Sequence, residues 1–148
     1  ESWDGSSWTE ITDINTSRSR IGSFGTSTAA IAVGGDSSAR DETELWNGSS
    51  WTELNDLNTG RQQLAAAGIS TAALAFGGEA SGPQVAVTED WNGTSWTEGN
   101  DLNTARQELG AAGTSTVALG FAGAAPDYSA ATEEWNAPSA SSETITTS

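Results

Sequence analysis

The stretch ESWDGSSWTE that opens the chain returns as ELWNGSSWTE at 44–53 and as EDWNGTSWTE at 89–98. A chain written about three times over is a repeat protein, because each copy keeps an apolar face that only a neighbouring copy covers. Three columns set the register: Trp3, Trp46, Trp91 and Trp135; then Trp8, Trp51 and Trp96; then Arg18, Arg61 and Arg106. The first column is spaced by 43, 45 and 44 residues, and each Arg follows its Trp by 15. Gly35, Gly78 and Gly123 each lie 17 residues beyond an Arg, so all variation in length falls between that Gly and the next Trp.

Each unit reads as four short antiparallel strands. The first covers Ser19–Gly25, Gln62–Gly68 or Gln107–Gly113, and a small polar turn leads into the second, Ala29–Gly35, Ala72–Gly78 or Val117–Gly123. The third is Val85–Trp91 with its equivalents, and the fourth starts at Ser95-Trp96-Thr97. Between them Asn47-Gly48 and Asn92-Gly93, with Asp4-Gly5 in the first copy, predict tight type I′ hairpin turns. Ala is a strong helix former, but these Ala-rich runs are short, end in Gly-Gly or Ala-Gly and are broken by Gly-x-Ser-Thr. They are expected to be strands, and small residues suit innermost strands that crowd together.

Composition narrows the chemistry. Twenty acids against five Arg give a net charge of −15, which argues against nucleic acid or an anionic membrane surface as partner. With no Cys and no His there is no disulfide, thiolate nucleophile, catalytic triad or imidazole metal ligand. No cofactor and no enzymatic activity are expected, and the recurring Glu10, Glu53 and Glu98 read as repeat structure rather than one asymmetric carboxylate site. No run of about 20 apolar residues is present, so membrane insertion is not expected. The sequence has no Met, which predicts a processed chain or a piece of a longer one, and an extracellular or virion-surface setting.

Gly-Gly closing the second strand, an aromatic at the end of the third, a Trp soon after and an Arg opening the next unit resemble the kelch repeat of β-propellers. Trp46 and Trp91 stand where kelch repeats usually carry Tyr, and Ala122-Gly123 replaces Gly-Gly in the third copy. The phrasing WNGTSWTE followed by NDLNTAR is similar to kelch-like arrays in structural proteins of marine bacteriophages. The resemblance covers Glu1 to about Asn136. It implies an all-β, kelch-like β-propeller of four-stranded blades, three per chain, at about 1–45, 46–90 and 91–136 in permuted form. Residues 137–148 form a Ser/Thr-rich tail or linker, with a faint echo of a fourth strand at Ser141-Ser142-Glu143-Thr144.

The strand sets do not close a ring: two are complete, a third lacks its last strand, and a lone last strand leads at Ser7–Ile11. Propellers have about four to eight blades, so closure by a second chain, giving six, or by further repeats is expected. The implied role is a non-catalytic structural or binding module of an extracellular particle, a tail fibre or capsid-associated protein engaged in assembly or host-surface attachment. The alternative is an oligomeric propeller lectin, because small fucose-binding propellers carry similar Trp hairpins paired with Arg and Glu between blades. In that reading Trp51, Trp96, Arg61 and Arg106 bind carbohydrate, with Glu53 and Glu98 as neighbours by spacing.

Both readings have plainer counterparts. Trp3, Trp8, Trp46, Trp51, Trp91, Trp96 and Trp135 are also the large aromatics that fill the wedge between blades. Arg18, Arg61 and Arg106 are equally suited to bonding carboxylates or carbonyls of the next blade, or to a repeated anion site. Asp13, Asp56 and Asp101 with Asn58 and Asn103 fit Asx-turn chemistry better than a Ca²⁺ site. Asn15, Asn47 and Asn92 match the N-glycosylation pattern, two of them on turns that call for Asn-Gly anyway. The loops at 36–45, 79–90 and 124–134 alone differ among the copies, which makes Arg40, Gln84, Asp127 and Tyr128 candidate recognition residues.

Overall fold

The structure, a computed structural model, describes residues 1–36 and 40–137. The tail beyond 137, with its fourth-strand echo, and the middle of the first variable loop lie outside the described residues. What is described is all-β, arranged as four antiparallel sheets with no helix among the described residues. The first is a hairpin of β1 (Ser2–Trp3) and β2 (Trp8–Thr9). The second has four strands in sequence order, β3 (Gly22–Thr26), β4 (Ala29–Val33), β5 (Thr43–Trp46) and β6 (Trp51–Glu53). The third repeats it with β7 (Ala65–Ile69), β8 (Ala72–Phe76), β9 (Thr88–Trp91) and β10 (Trp96–Glu98). The last has three, β11 (Gly110–Gly113), β12 (Val117–Phe121) and β13 (Thr132–Asn136).

The leading segment is therefore a two-stranded hairpin and not the single strand expected, since Ser2 and Trp3 pair with Thr9 and Trp8. The strands are also shorter than their apolar runs. Gln63 sits at φ 56° and Gly77 and Gly78 at 65° and 103°, left-handed conformations that interrupt the ladder between β7 and β8, which resumes beyond them only as the single bridge Gln62–Glu79. Glycine is required between β7 and β8: Gly68 has φ 137°, and a Cβ there would lie 2.4 Å from the Ala72 carbonyl oxygen.

The Asn-Gly turns differ from expectation as well. Trp46 pairs directly with Trp51, so the loop holds four residues, and φ is positive at Gly48 but not at Asn47, which rules out type I′. The Asn47 side chain shapes the loop instead, its Oδ1 accepting the N–H groups of Ser49 and Ser50 at 3.0 Å each. Asn92 does the same for Thr94 and Ser95, and Asp4 for Ser6 and Ser7.

Successive sheets pack face to face with their first strands side by side, β3 against β7 and β7 against β11. Small residues allow it, since a Cβ on Gly22 would meet Leu64 at 3.1 Å and Ala66 at 3.4 Å. Ile31 and Val33 of β4 are buried against Leu57, Leu64, Ala73 and Ala75 of the following unit. Leu74 and Phe76 of β8 are likewise buried, against Ala118, Leu102 and Leu109. Each buried Leu or Phe is worth roughly 1.5–3 kcal/mol relative to exposure, so these joints carry much of the stability of thin sheets.

Candidate functional site

The most ordered polar feature is a clamp repeated three times. Glu89 of β9 accepts from the N–H and side-chain amide of Asn58 at 2.8 and 2.9 Å, from Thr59 N–H at 3.3 Å, and from Arg61 at 2.9 Å. Arg61 also donates to the Ala75 carbonyl at 3.0 Å. Glu44 holds Asn15, Thr16 and Arg18 in the same manner, and Glu133 holds Asn103 and Arg106. Arg18 and Arg106 add bonds to the carbonyls of Gly34 and of Ala122 and Ala131. In each case the third strand of one sheet grips the Asn-Thr-x-Arg segment that leads into that sheet.

The clamp is electrostatically costly and only partly compensated, since Arg18 Nη2, Arg61 Nε and Arg106 Nε are buried without a hydrogen-bond partner. Arg61 and Glu89 are fully buried, and burial pushes the Arg61 guanidinium below its ordinary value while the Glu89 charge opposes the shift. Burial also works to raise Glu133, but the hydrogen bonds from Asn103 and Arg106 outweigh it and hold that carboxyl below its ordinary value. The guanidiniums of Arg61 and Arg106 are thus directed at protein carboxylates and carbonyls. Glu53 and Glu98 are not their partners; Glu89 and Glu133 are.

The Trp pairs lie across their hairpins with ring centroids 5.5 Å apart at Trp3 and Trp8, 5.6 Å at Trp46 and Trp51, and 5.1 Å at Trp91 and Trp96. Three Trp of the first column, each on the third strand of its sheet, donate the indole N–H to the turn between the first two strands: Trp46 to Ser27, Trp91 to Ser70 and Trp135 to Ser115. Trp96 reaches into the preceding sheet, with its N–H on the Thr43 hydroxyl at 3.0 Å and its ring edge-on to Phe24. Trp46, Trp91 and Trp96 are buried, whereas Trp3 and Trp8 are 50% and 65% exposed. Between that outer pair and the first four-stranded sheet lies a cleft of about 620 Å³, lined by Trp3, Trp8, Trp46, Trp51, Glu10 and Asp13 among others.

The variable loops all join second to third strands, so they share one end of the sheets with the Arg clamps, opposite the Trp hairpins. Their backbones are used for packing: Arg61 N–H bonds Arg40 O at 2.8 Å, and Arg106 N–H bonds Val85 O at 3.4 Å. Gln84 is half-buried in a bridge with Glu79. Asp127 is exposed, and Tyr128 is 95% exposed at the tip of the third loop. Arg40, Gln84 and the Asp127–Tyr128 pair sit on three different loops at that same end of the sheets. Asn47 and Asn92 are exposed, with side chains engaged in their turns, and Asn15 is exposed beside Glu44.

The carboxylate column Glu44, Glu89 and Glu133 escaped the sequence reading, although its signal was present as an acid two places before Trp46, Trp91 and Trp135. No side-chain group of at least three acids spaced to hold a metal ion occurs among the described residues. Comparison with protein-family models and with curated proteins finds no match to this chain.

Proposed function

We propose that the chain is part of a kelch-like propeller, its sheets forming the blades, and serves as a non-catalytic structural and binding module on the surface of an extracellular particle. A tail fibre or capsid-associated protein, engaged in assembly or host-surface attachment, is the setting that fits. The observation that carries this reading is a division between constant and variable parts. Clamp, Trp hairpin and inner strands recur nearly unchanged, while the loops at 36–45, 79–90 and 124–134 differ and emerge at one end. A rigid scaffold with divergent loops at one end is the usual layout of a recognition surface. The net charge of −15 directs the partner away from nucleic acid.

A second reading, carbohydrate binding between blades, is favoured by the Trp-lined cleft, where exposed indoles and the carboxylates of Glu10 and Asp13 face one space. Aromatic faces stack on sugar C–H surfaces and carboxylates accept from hydroxyls, so the chemistry is suitable. A glycan array probed with the wild-type chain, with a Asp127→Ala/Tyr128→Ala variant and with Trp8→Ala separates the two. Binding lost only in the loop variant supports the loops as recognition surface, and loss only in Trp8→Ala supports the cleft. Silence across the array overturns the lectin reading and leaves the structural role, whereas turnover of any glycan overturns the non-catalytic assignment.

A further inference from the structure

The two joints that link the three larger sheets are built from the same backbone bonds. Gly35 N–H donates to Arg61 O at 3.0 Å, and Gly78 N–H to Arg106 O at 2.7 Å. Gln63 N–H donates to Arg20 O at 2.8 Å, and Glu108 N–H to Gln63 O at 2.9 Å. Arg20, Gln63 and Glu108 form one column, all in the left-handed region at φ 56°, 56° and 58°, and their bonds run as a single ladder from unit to unit. The ladder stops with Glu108 O at one end and Arg20 N–H at the other, neither with a backbone partner among the described residues.

The side chains of this column are basic, neutral and acidic in order, with Gln63 Nε2 on Glu108 Oε1 at 2.5 Å. Continuing the ladder brings a positive end against a negative one. The apolar surfaces match it. Leu119 and Phe121 of β12 are 42% and 40% exposed, while their equivalents Leu74, Phe76, Ile31 and Val33 are buried by the next unit. At the opposite end Ile14 and Ile21 hold the positions of Leu57 and Leu64, which do that burying, and both are only half-covered.

We propose that a second copy of this chain docks head to tail on the β12 face, with Ile14 and Ile21 over Leu119 and Phe121 and Arg20 against Glu108. Trp3 and Trp135 occupy the same repeat column, so β1 and β13 compete for one place in the shared sheet. β1 yields, being an exposed strand held by two residue pairs where β13 has five. β2 then adds to β13 with Trp8 opposite Trp135, the register seen for Trp51 on Trp46 and Trp96 on Trp91. The interface is heterologous, and two copies supply the strands for six sheets. Only that closure rests on the propeller reading; the joint itself follows from the repeat.

Sedimentation or light scattering of the full chain at micromolar concentration tests it. A dimer is expected. Arg20→Glu and Glu108→Arg each weaken it, by roughly tenfold for the like charges created, and the double swap restores it. Leu119→Asp abolishes it while circular dichroism stays that of the folded chain. Open oligomers that respond to the swaps uphold the joint and overturn closure at six sheets. A monomer, or a dimer indifferent to both the swaps and Leu119→Asp, overturns the joint. A monomer that dimerises only after removal of residues 138–148 also overturns it, assigning the face to the chain's own tail.

Discussion

Arg61 Nη1 and Glu89 Oε1 lie 2.9 Å apart with both side chains closed to solvent. Glu89 is therefore expected to cost about 3–5 kcal/mol when changed to Gln, because the buried guanidinium loses its counter-charge. The double change Arg61→Met/Glu89→Gln should cost less than the sum of Arg61→Met and Glu89→Gln. Urea unfolding across this double-mutant cycle measures the coupling, and additive losses would refute the clamp as a unit.

Acid should weaken the fold through Glu133. Its folded pKa lies below the unfolded value, so its contribution is complete above the usual carboxylate range near ~4.3 and is lost as pH falls through the folded value. Glu133→Gln is expected to flatten the acid limb of the stability profile between about pH 5 and the folded pKa. Denaturant titrations at a series of pH values give the slope directly.

Asp56 has the opposite sign. Burial, followed by the charges of Asp41 and Glu42, raises its carboxyl above the ordinary value. The ionised form is thus penalised by folding at neutral pH, and the penalty disappears as pH falls below the folded pKa. Asp56→Asn should stabilise slightly at pH 7, by less than about 0.5 kcal/mol for an exposed position, and not at all in acid. Thermal unfolding at the two pH values decides it.

Ala122 stands at φ 58°, where the other copies have Gly34 and Gly77 at 64° and 65°. An L-residue there costs roughly 1–2 kcal/mol, so Ala122→Gly should raise stability by about 1 kcal/mol. The reverse change, Gly77→Ala, should do worse than a simple reversal, since its Cβ would sit 2.6 Å from Arg106 O and 2.8 Å from Leu109. Paired unfolding midpoints of the two variants test the sign of each.

Trp91 has no exposed surface and bonds Ser70 O at 2.9 Å, whereas Trp3 is half exposed on a two-residue strand. Trp91→Ala is expected to cost about 3–5 kcal/mol. Trp3→Ala should cost about 1 kcal/mol or less, limited to its ring contact with Trp8. Equal losses in chemical denaturation would show that the leading hairpin is part of the cooperative core.

The strands, their order and the Trp and Arg columns were legible because each leaves a periodic mark: Ala-rich runs ending in Gly, Trp flanking a turn, Arg at a constant offset. The clamp carboxylates were not, because Glu44 and Glu89 look in sequence like any other of the twenty acids that solvate the surface. Burial singles them out, and burial depends on a strand from one sheet meeting a segment that arrives from another. The column of Arg20, Gln63 and Glu108 was equally hidden, since three unlike side chains share only a backbone conformation. Asn47-Gly48 misled for a local reason: the Asn side chain bonds the loop backbone, and the loop widens to four residues around it.

The ladder through Arg20, Gln63 and Glu108 has a genetic consequence. Because each joint is bonded like the last, duplicating or deleting one unit of DNA in frame changes the length of the array without inventing a new contact. Selection can therefore adjust the number of units quickly, while the side chains of the loops at 36–45, 79–90 and 124–134 diverge, because the frame takes from Arg40 and Val85 only their backbone carbonyls.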